Sequence, residues 1–133
     1  MKWRIVLEDS EIHAPGLTLR SAKELHAARA AMKEKCKAVA LAETPAAVRL
    51  VYPITGRGGN AWPSRGEMLC PRPFTRRALF YFLRECGRFA LNLTSQDRKQ
   101  KWEQWKVESR TAEKWARERM RAHGLSVPRK KTH

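Results

Sequence analysis

The sequence predicts an α+β fold, a small β-α-(β)-β-β-α body followed by a long basic C-terminal helix and tail. Three observations carry that expectation. Lys2–Leu7 (KWRIVL) and Ala47–Tyr52 (AVRLVY) have the alternation or the β-branched content of strands. Phe74–Leu93 places Leu79, Phe82, Cys86, Phe89 and Leu93 at the 3,4,3,4 spacing of a helix buried along one side. From about Ser95 to His123 the chain reads as a second, amphipathic helix, with Thr94 as its N-cap, Asp97 three residues on and Gly124 just past its end. These divide the chain into a body (1–93), a basic helical extension (94–124) and a basic tail (125–133).

Taken in order, the first strand sets Trp3, Ile5 and Leu7 on one side and Lys2, Arg4 and Val6 on the other. Pro15 and Gly16 mark a loop, and Ser21 with Glu24 forms a capping box for a helix. In that helix Leu25, Ala28, Ala31 and Met32 face inward, while Lys23, Arg29, Lys33 and Glu34 face outward. Cys36–Leu41 continues the helix or forms a second strand parallel to the first; its alanines and leucine fit the former, and a right-handed βαβ crossover would accommodate the latter. Thr44-Pro45 ends whichever element this is.

After the Ala47–Tyr52 strand, Thr55–Gly66 holds four of the seven glycines together with Arg57 and Arg65. A phosphate-cradling Walker loop would need Gly-Lys-Ser/Thr leading into a helix, and here Trp62-Pro63 follows instead. The stretch is therefore expected to be a long basic hairpin loop. Arg57 and Arg65 can reach a phosphate backbone from it, and Trp62 can stack or fill a gap. Glu67–Cys70 is then a short antiparallel return strand, closed by Pro71 and Pro73. In the Phe74–Leu93 helix Leu83 and Ala90 widen the apolar stripe, and Phe80 and Tyr81 flank it. Gly87 costs about 1 kcal/mol relative to alanine in a helix interior, which implies close approach of a neighbour, a strand or the N-terminal helix.

Charge decides which partners are plausible. The 133 residues carry 28 Lys+Arg against 13 Asp+Glu, a formal charge of +15, well beyond what solubility requires. No apolar run approaches the roughly 20 residues of a membrane-spanning helix, so no membrane insertion is expected. On the last helix, residues at about 100° each gather Trp102, Trp105, Ser109, Ala112, Ala116 and Met120 on one narrow stripe. Lys99, Lys106, Arg110, Lys114, Arg117 and Arg121 fall on an adjacent one, interrupted only by Glu103. A solvated helix normally mixes signs to gain i,i+4 pairs. Segregation, with Arg129, Lys130 and Lys131 following, points to nucleic-acid contact. Trp102, Trp105 and Met120 are then expected to dock the helix on the body or on a neighbouring subunit.

Cys36, Cys70 and Cys86 are an odd number without CxxC spacing and read as small buried residues in a reducing compartment. His13, His26, His123 and His133 are scattered, so no metal site, no cofactor and no small-molecule substrate are expected. No catalytic constellation is recognisable, and a non-enzyme is expected. MKWRIVLEDSE acquires acids early and shows no cleavable presequence, and Asn92-Leu93-Thr94 is a chance sequon match.

The stretches KWRIVLED, SAKELHAARAAMKEK, AVRLVYP, GEMLCP and FTRRALFYFLRECGRF, in that order, resemble the small thioredoxin-like proteins of the mitochondrial ribosome, of the large-subunit protein fifty-three type. The resemblance covers residues 1–93. It implies a thioredoxin-like body without redox chemistry, a non-catalytic subunit of the mitochondrial large ribosomal subunit in the matrix, and ribosomal RNA and neighbouring ribosomal proteins as partners. An accessory subunit of a mitochondrial respiratory complex is the alternative, and a phage or bacterial DNA-binding protein a third reading. For the latter, the last helix lacks the short preceding helix and tight turn of a helix-turn-helix.

Overall fold

The computed structural model describes residues 22–52, 59–94 and 102–128. Lys2–Leu7 and Ser21, the expected first strand and N-cap, lie outside these residues. In chain order the elements are α1 (Ala22–Glu43), β1 (Arg49–Val51), β2 (Asn60–Trp62), a 3-10 turn (Pro63–Arg65), β3 (Glu67–Leu69), α2 (Arg76–Ala90) and α3 (Trp102–Ala122). The class is α+β, as expected.

Helix α1 settles the alternative at Cys36–Leu41 in favour of helix. No glycine or proline interrupts residues 22–43, and Cys36, Val39 and Ala40, at i, i+3 and i+4, are buried while Leu41 is 81% exposed. Leu25 is buried and Met32 half-buried as expected, whereas Ala31 faces solvent. The helix stops where the Thr44 hydroxyl donates back to the Ala40 carbonyl (2.6 Å) and Pro45 follows.

The sheet has the order β1-β3-β2. β3 pairs in parallel with β1, Leu50 opposite Met68, and antiparallel with β2, Ala61 opposite Met68. The expectation that Glu67–Cys70 returns antiparallel on Ala47–Tyr52 is thus overturned. The hairpin closes later, between Trp62 and Glu67, where Pro63 opens a 3-10 turn and Gly66 ends it at φ 66°. Its outgoing arm is Asn60–Trp62, which the sequence placed within a loop. With one edge of β3 taken by β2, β1 occupies the other and runs parallel. Leu50, Ala61 and Met68, the middle residues of the three strands, join the core under α2.

Helix α2 is shorter than the expected Phe74–Leu93. Its N-cap is Thr75, whose hydroxyl accepts from the Ala78 N–H (3.1 Å). It ends in a Schellman arrangement: Asn92 is left-handed at φ 53°, and the N–H groups of Asn92 and Leu93 donate to the carbonyls of Phe89 and Arg88. Leu79, Phe82, Leu83 and Cys86 are buried, while Ala90 is exposed. Helix α3 ends in the same way, with Gly124 at φ 77° and the N–H groups of Gly124 and Leu125 donating to Arg121 and Met120 (2.9 Å each). Leu125, thus turned inward, is buried, and the Arg76 guanidinium donates to the Ser126 carbonyl (3.0 Å).

The neighbour for which Gly87 makes room is α3. A Cβ at Gly87 would lie 3.0 Å from Trp115 Cε3 and 3.3 Å from the Ala112 carbonyl oxygen. Ala112, Ala116 and Met120 are fully buried along this contact, the most extensive between any two elements. The helix expected as an extension therefore supplies part of the core. Close packing here leaves no room for a branched side chain. Gly87→Val is expected to destabilise the protein by about 2–3 kcal/mol through overpacking, read as a lowered urea midpoint; an unchanged midpoint would mean that α3 does not press on α2 at this point.

Candidate nucleic-acid interface

The α2–α3 contact fixes which side of α3 is free. Lys106, Arg110, Lys114 and Arg121 are exposed and Arg117 is half-buried. At 1.5 Å per residue they follow one another every ~4.5–6 Å over ~22 Å of helix. Arg110, Lys114, Arg117 and Arg121 form no ion pair among the described residues. Lys106 holds its ammonium 5.2 Å from the Trp102 ring centroid. Glu113 is drawn toward Arg84 (3.9 Å), and Glu103, the acid within the row's stripe, is exposed.

Arg119 shows the contrast. Its guanidinium donates twice to Glu43 Oε2 (2.6 and 2.9 Å), and His123 Nε2 lies 2.8 Å from the same oxygen, so the C-terminal ends of α1 and α3 are tied together. Burial raises the Glu43 carboxyl, but the hydrogen bonds and charges of Arg119 and His123 outweigh it, and the net shift is downward. Unlike Arg119, the row's Arg110, Lys114, Arg117 and Arg121 have no carboxylate paired to them among the described residues.

Not every expected site residue belongs to it. Arg57, Lys99, Arg129, Lys130 and Lys131 lie outside the described residues. Arg65 is exposed on the 3-10 turn, its guanidinium 5.9 Å from the Trp62 ring, on an element separate from α3. Of the expected docking trio, only Met120 is buried. Trp102 is 62% exposed and Trp105 half-buried, and their rings stack on each other at 4.9 Å and 16°. The contacts Arg84–Glu113, Arg88–Ser109 and Gly87–Ala112 show that α2 and α3 run antiparallel. On that pairing Ala90, the last residue of α2, stands opposite the region of Val107. Trp102 and Trp105 overhang the end of α2, and Trp115, which lies off the predicted stripe, does the docking.

A buried charge network escaped the sequence. Glu85 and Arg88 are almost completely buried in α2. Arg88 Nε donates to Glu85 Oε1 (3.0 Å), Arg84 Nε to Oε2 (3.2 Å), and Arg88 Nη2 to Ser109 Oγ on α3 (2.8 Å). Burial pushes the Glu85 carboxyl up against the pull of Arg84 and Arg88. Their spacing, with charges three residues apart, is what an ordinary solvated ion pair would show.

A groove of about 440 Å³ opens between α1, β1 and the start of α2, lined by apolar groups such as Leu41, Leu50, Phe74 and Phe82. Its Glu34 and Lys37 pair with each other at the surface and its Thr44 hydroxyl is engaged with Ala40, which leaves Tyr52 as its one other polar side chain. Burial pushes the Cys36 thiol up to about 11 and Cys70 to about 12, and raises Cys86 likewise. These are core thiols rather than nucleophiles. Among the described residues no three His, Cys, Asp or Glu could hold a metal ion, and no helix is long and apolar enough to cross a membrane.

No protein-family model, curated protein or solved structure matches the chain.

The Glu43 cluster gives a pH signature. A carboxyl held below its ordinary 4.5 stabilises the fold while ionised. That contribution is complete above the ordinary value and is lost as pH falls through the lower folded one. Glu43→Gln should therefore lower the urea midpoint at pH 7, and its difference from wild type should narrow as pH falls below about 4.5. A difference constant with pH would show that the cluster carries no ionisation-linked stability.

Proposed function

We propose that this chain is a non-catalytic structural subunit of a ribonucleoprotein particle that uses α3 to lie along RNA phosphates. The particle implied by the resemblance of residues 1–93 is the ribosome, specifically the mitochondrial large subunit. The single observation behind this reading is the row Lys106, Arg110, Lys114, Arg117 and Arg121. It is borne by a helix whose opposite side is anchored in the core.

The physics favours a polyanion. A cation paired to a carboxylate is already neutralised, whereas cations without an ion pair keep their charge for a partner and release that partner's counterions on binding. Such contacts position a backbone without reading sequence. Binding should then be salt-sensitive and insensitive to base order, as suits a scaffold on a folded RNA. The α/β body, with its apolar groove, is left to meet protein neighbours. The same row against acidic protein or lipid would suit a respiratory-complex subunit, and digestion of RNA separates the two.

The test is sedimentation of the native protein from organelle lysate, with and without RNase. Comigration with a large particle that RNase disperses is expected. A triple variant, Arg110→Glu, Lys114→Glu and Arg117→Glu, should stay at the top of the gradient while melting no lower than wild type. On purified single-stranded RNA it should reduce the slope of log K against log salt by about 2, from roughly 0.7 per lost phosphate contact. Normal particle assembly by the variant, or comigration with a membrane complex indifferent to RNase, would overturn the proposal.

A further inference from the structure

The stacked indoles at the start of α3 lie outside the core cluster, and their position relative to the basic row gives them a use. Trp102 stands one turn before Lys106, in the same register that continues through Arg110 and Lys114. A backbone tracking the cations toward the start of α3 would therefore pass from Lys106 onto Trp102. The ring there is 62% exposed, and Trp105, stacked behind it at 4.9 Å, holds it in place. Trp105 is itself half-buried.

We propose that Trp102, backed by Trp105, is a stacking platform for an unpaired nucleobase of a single-stranded RNA segment whose phosphates lie along Lys106, Arg110 and Lys114. The inference rests on the reading of the row as a phosphate track and adds the form of nucleic acid that it takes. A base in a duplex has both faces covered by its neighbours, so only an unpaired base can present a face to an indole. The Lys106 contact fits the exchange. An ammonium near an exposed indole is weakly held, so it can pass to an arriving phosphate while the base takes up the ring.

Helix geometry prepares this arrangement. Trp102 and Trp105 are three residues apart on one face and precede the stretch of α3, from Ser109, that meets Arg88 and Gly87 of α2. Two indoles stacked on each other have already lost the rotamer freedom that a single exposed tryptophan would give up on binding a base.

The experiment is fluorescence anisotropy of the full chain with three labelled probes of equal length: a single-stranded RNA, the same strand carrying abasic sites, and a blunt RNA duplex. Wild type is expected to bind the base-bearing strand about tenfold more tightly than the abasic one. Trp102→Ala should abolish that discrimination, Trp102→Phe should keep part of it, and neither should shift the melting temperature because the ring is largely exposed. The Arg110, Lys114 and Arg117 triple reversal should weaken all three probes. Equal binding of the three probes, unchanged by Trp102→Ala, would overturn the platform and leave the phosphate track standing. Binding to none of them would overturn both. If Trp102→Ala blocks particle association in the gradient yet leaves the base-bearing strand bound as tightly as before, the indoles serve a protein neighbour and the platform is likewise overturned.

Discussion

Everything on the outer surface of α3 depends on how closely α3 approaches α2 at Gly87. With no side chain at that position, Trp115 and the Ala112 backbone come in to distances that a Cβ would barely tolerate. Ala112 and Ala116 are the matching small residues on α3. Contact this close fixes the rotation of α3 about its own axis, because only the side bearing small residues fits. Once the rotation is fixed, the positions about a third of a turn away are outside whatever their chemistry, and those positions hold Lys106, Arg110, Lys114, Arg117 and Arg121. The ~1 kcal/mol that glycine costs in a helix is small beside the burial of a large apolar side chain such as Met120, worth about 1.5–3 kcal/mol.

The Glu85–Arg88–Ser109 link sets the remaining degree of freedom, sliding along the axis. A buried ion pair gains little net stability, since desolvating the charges costs about what their attraction returns. Losing one partner is another matter, because the other charge is then stranded. Arg88 Nη1 already lacks a hydrogen-bond partner among the described residues, so the network carries a cost. The geometric return is register: the Arg88 guanidinium reaches Ser109 at one offset of the two helices. At the far end, Glu43 closes on Arg119 and His123 and ties α1 to the same frame. Between these two points α3 is held at both ends of its buried stretch, and the part that overhangs α2 is the part bearing Trp102 and Trp105.

The sequence revealed what depends on local periodicity and hid what depends on distant partners. Leu79, Phe82 and Cys86 marked the buried side of α2 because the 3,4 spacing is a property of one helix. Gly124 marked the end of α3 because a left-handed residue is needed there whatever surrounds it. Cys36–Leu41 was ambiguous because a run of small apolar residues fits both periods, and only the length of uninterrupted helix before it resolves the choice. Asn60–Trp62 went unseen, since three residues are too few for alternation to register, and the direction of β3 relative to β1 followed from that omission. That Trp102 and Trp105 stay out of the body's core was hidden for a different reason. A helical projection says which residues share a side, but not where along the axis the neighbouring helix stops.

The distribution of charge joins the fold to the proposed function. With 28 basic and 13 acidic residues, full pairing of every acid would still leave an excess of 15 positive charges. The fold draws Glu43, Glu85 and Glu113 to Arg119, Arg88 and Arg84, inside or at the edge of the helix contacts. Those pairings consume acids where the helices meet and leave Glu103 as the one acid within α3's outer row. Self-repulsion along that row opposes the compact state, so a polyanion that binds the folded chain lowers the repulsion and stabilises the fold by mass action. Stability and binding are then two readings of one charge imbalance. On the proposed function, the protein should be at its most stable with a polyanion bound, and the row on α3 would be the surface where that gain is made.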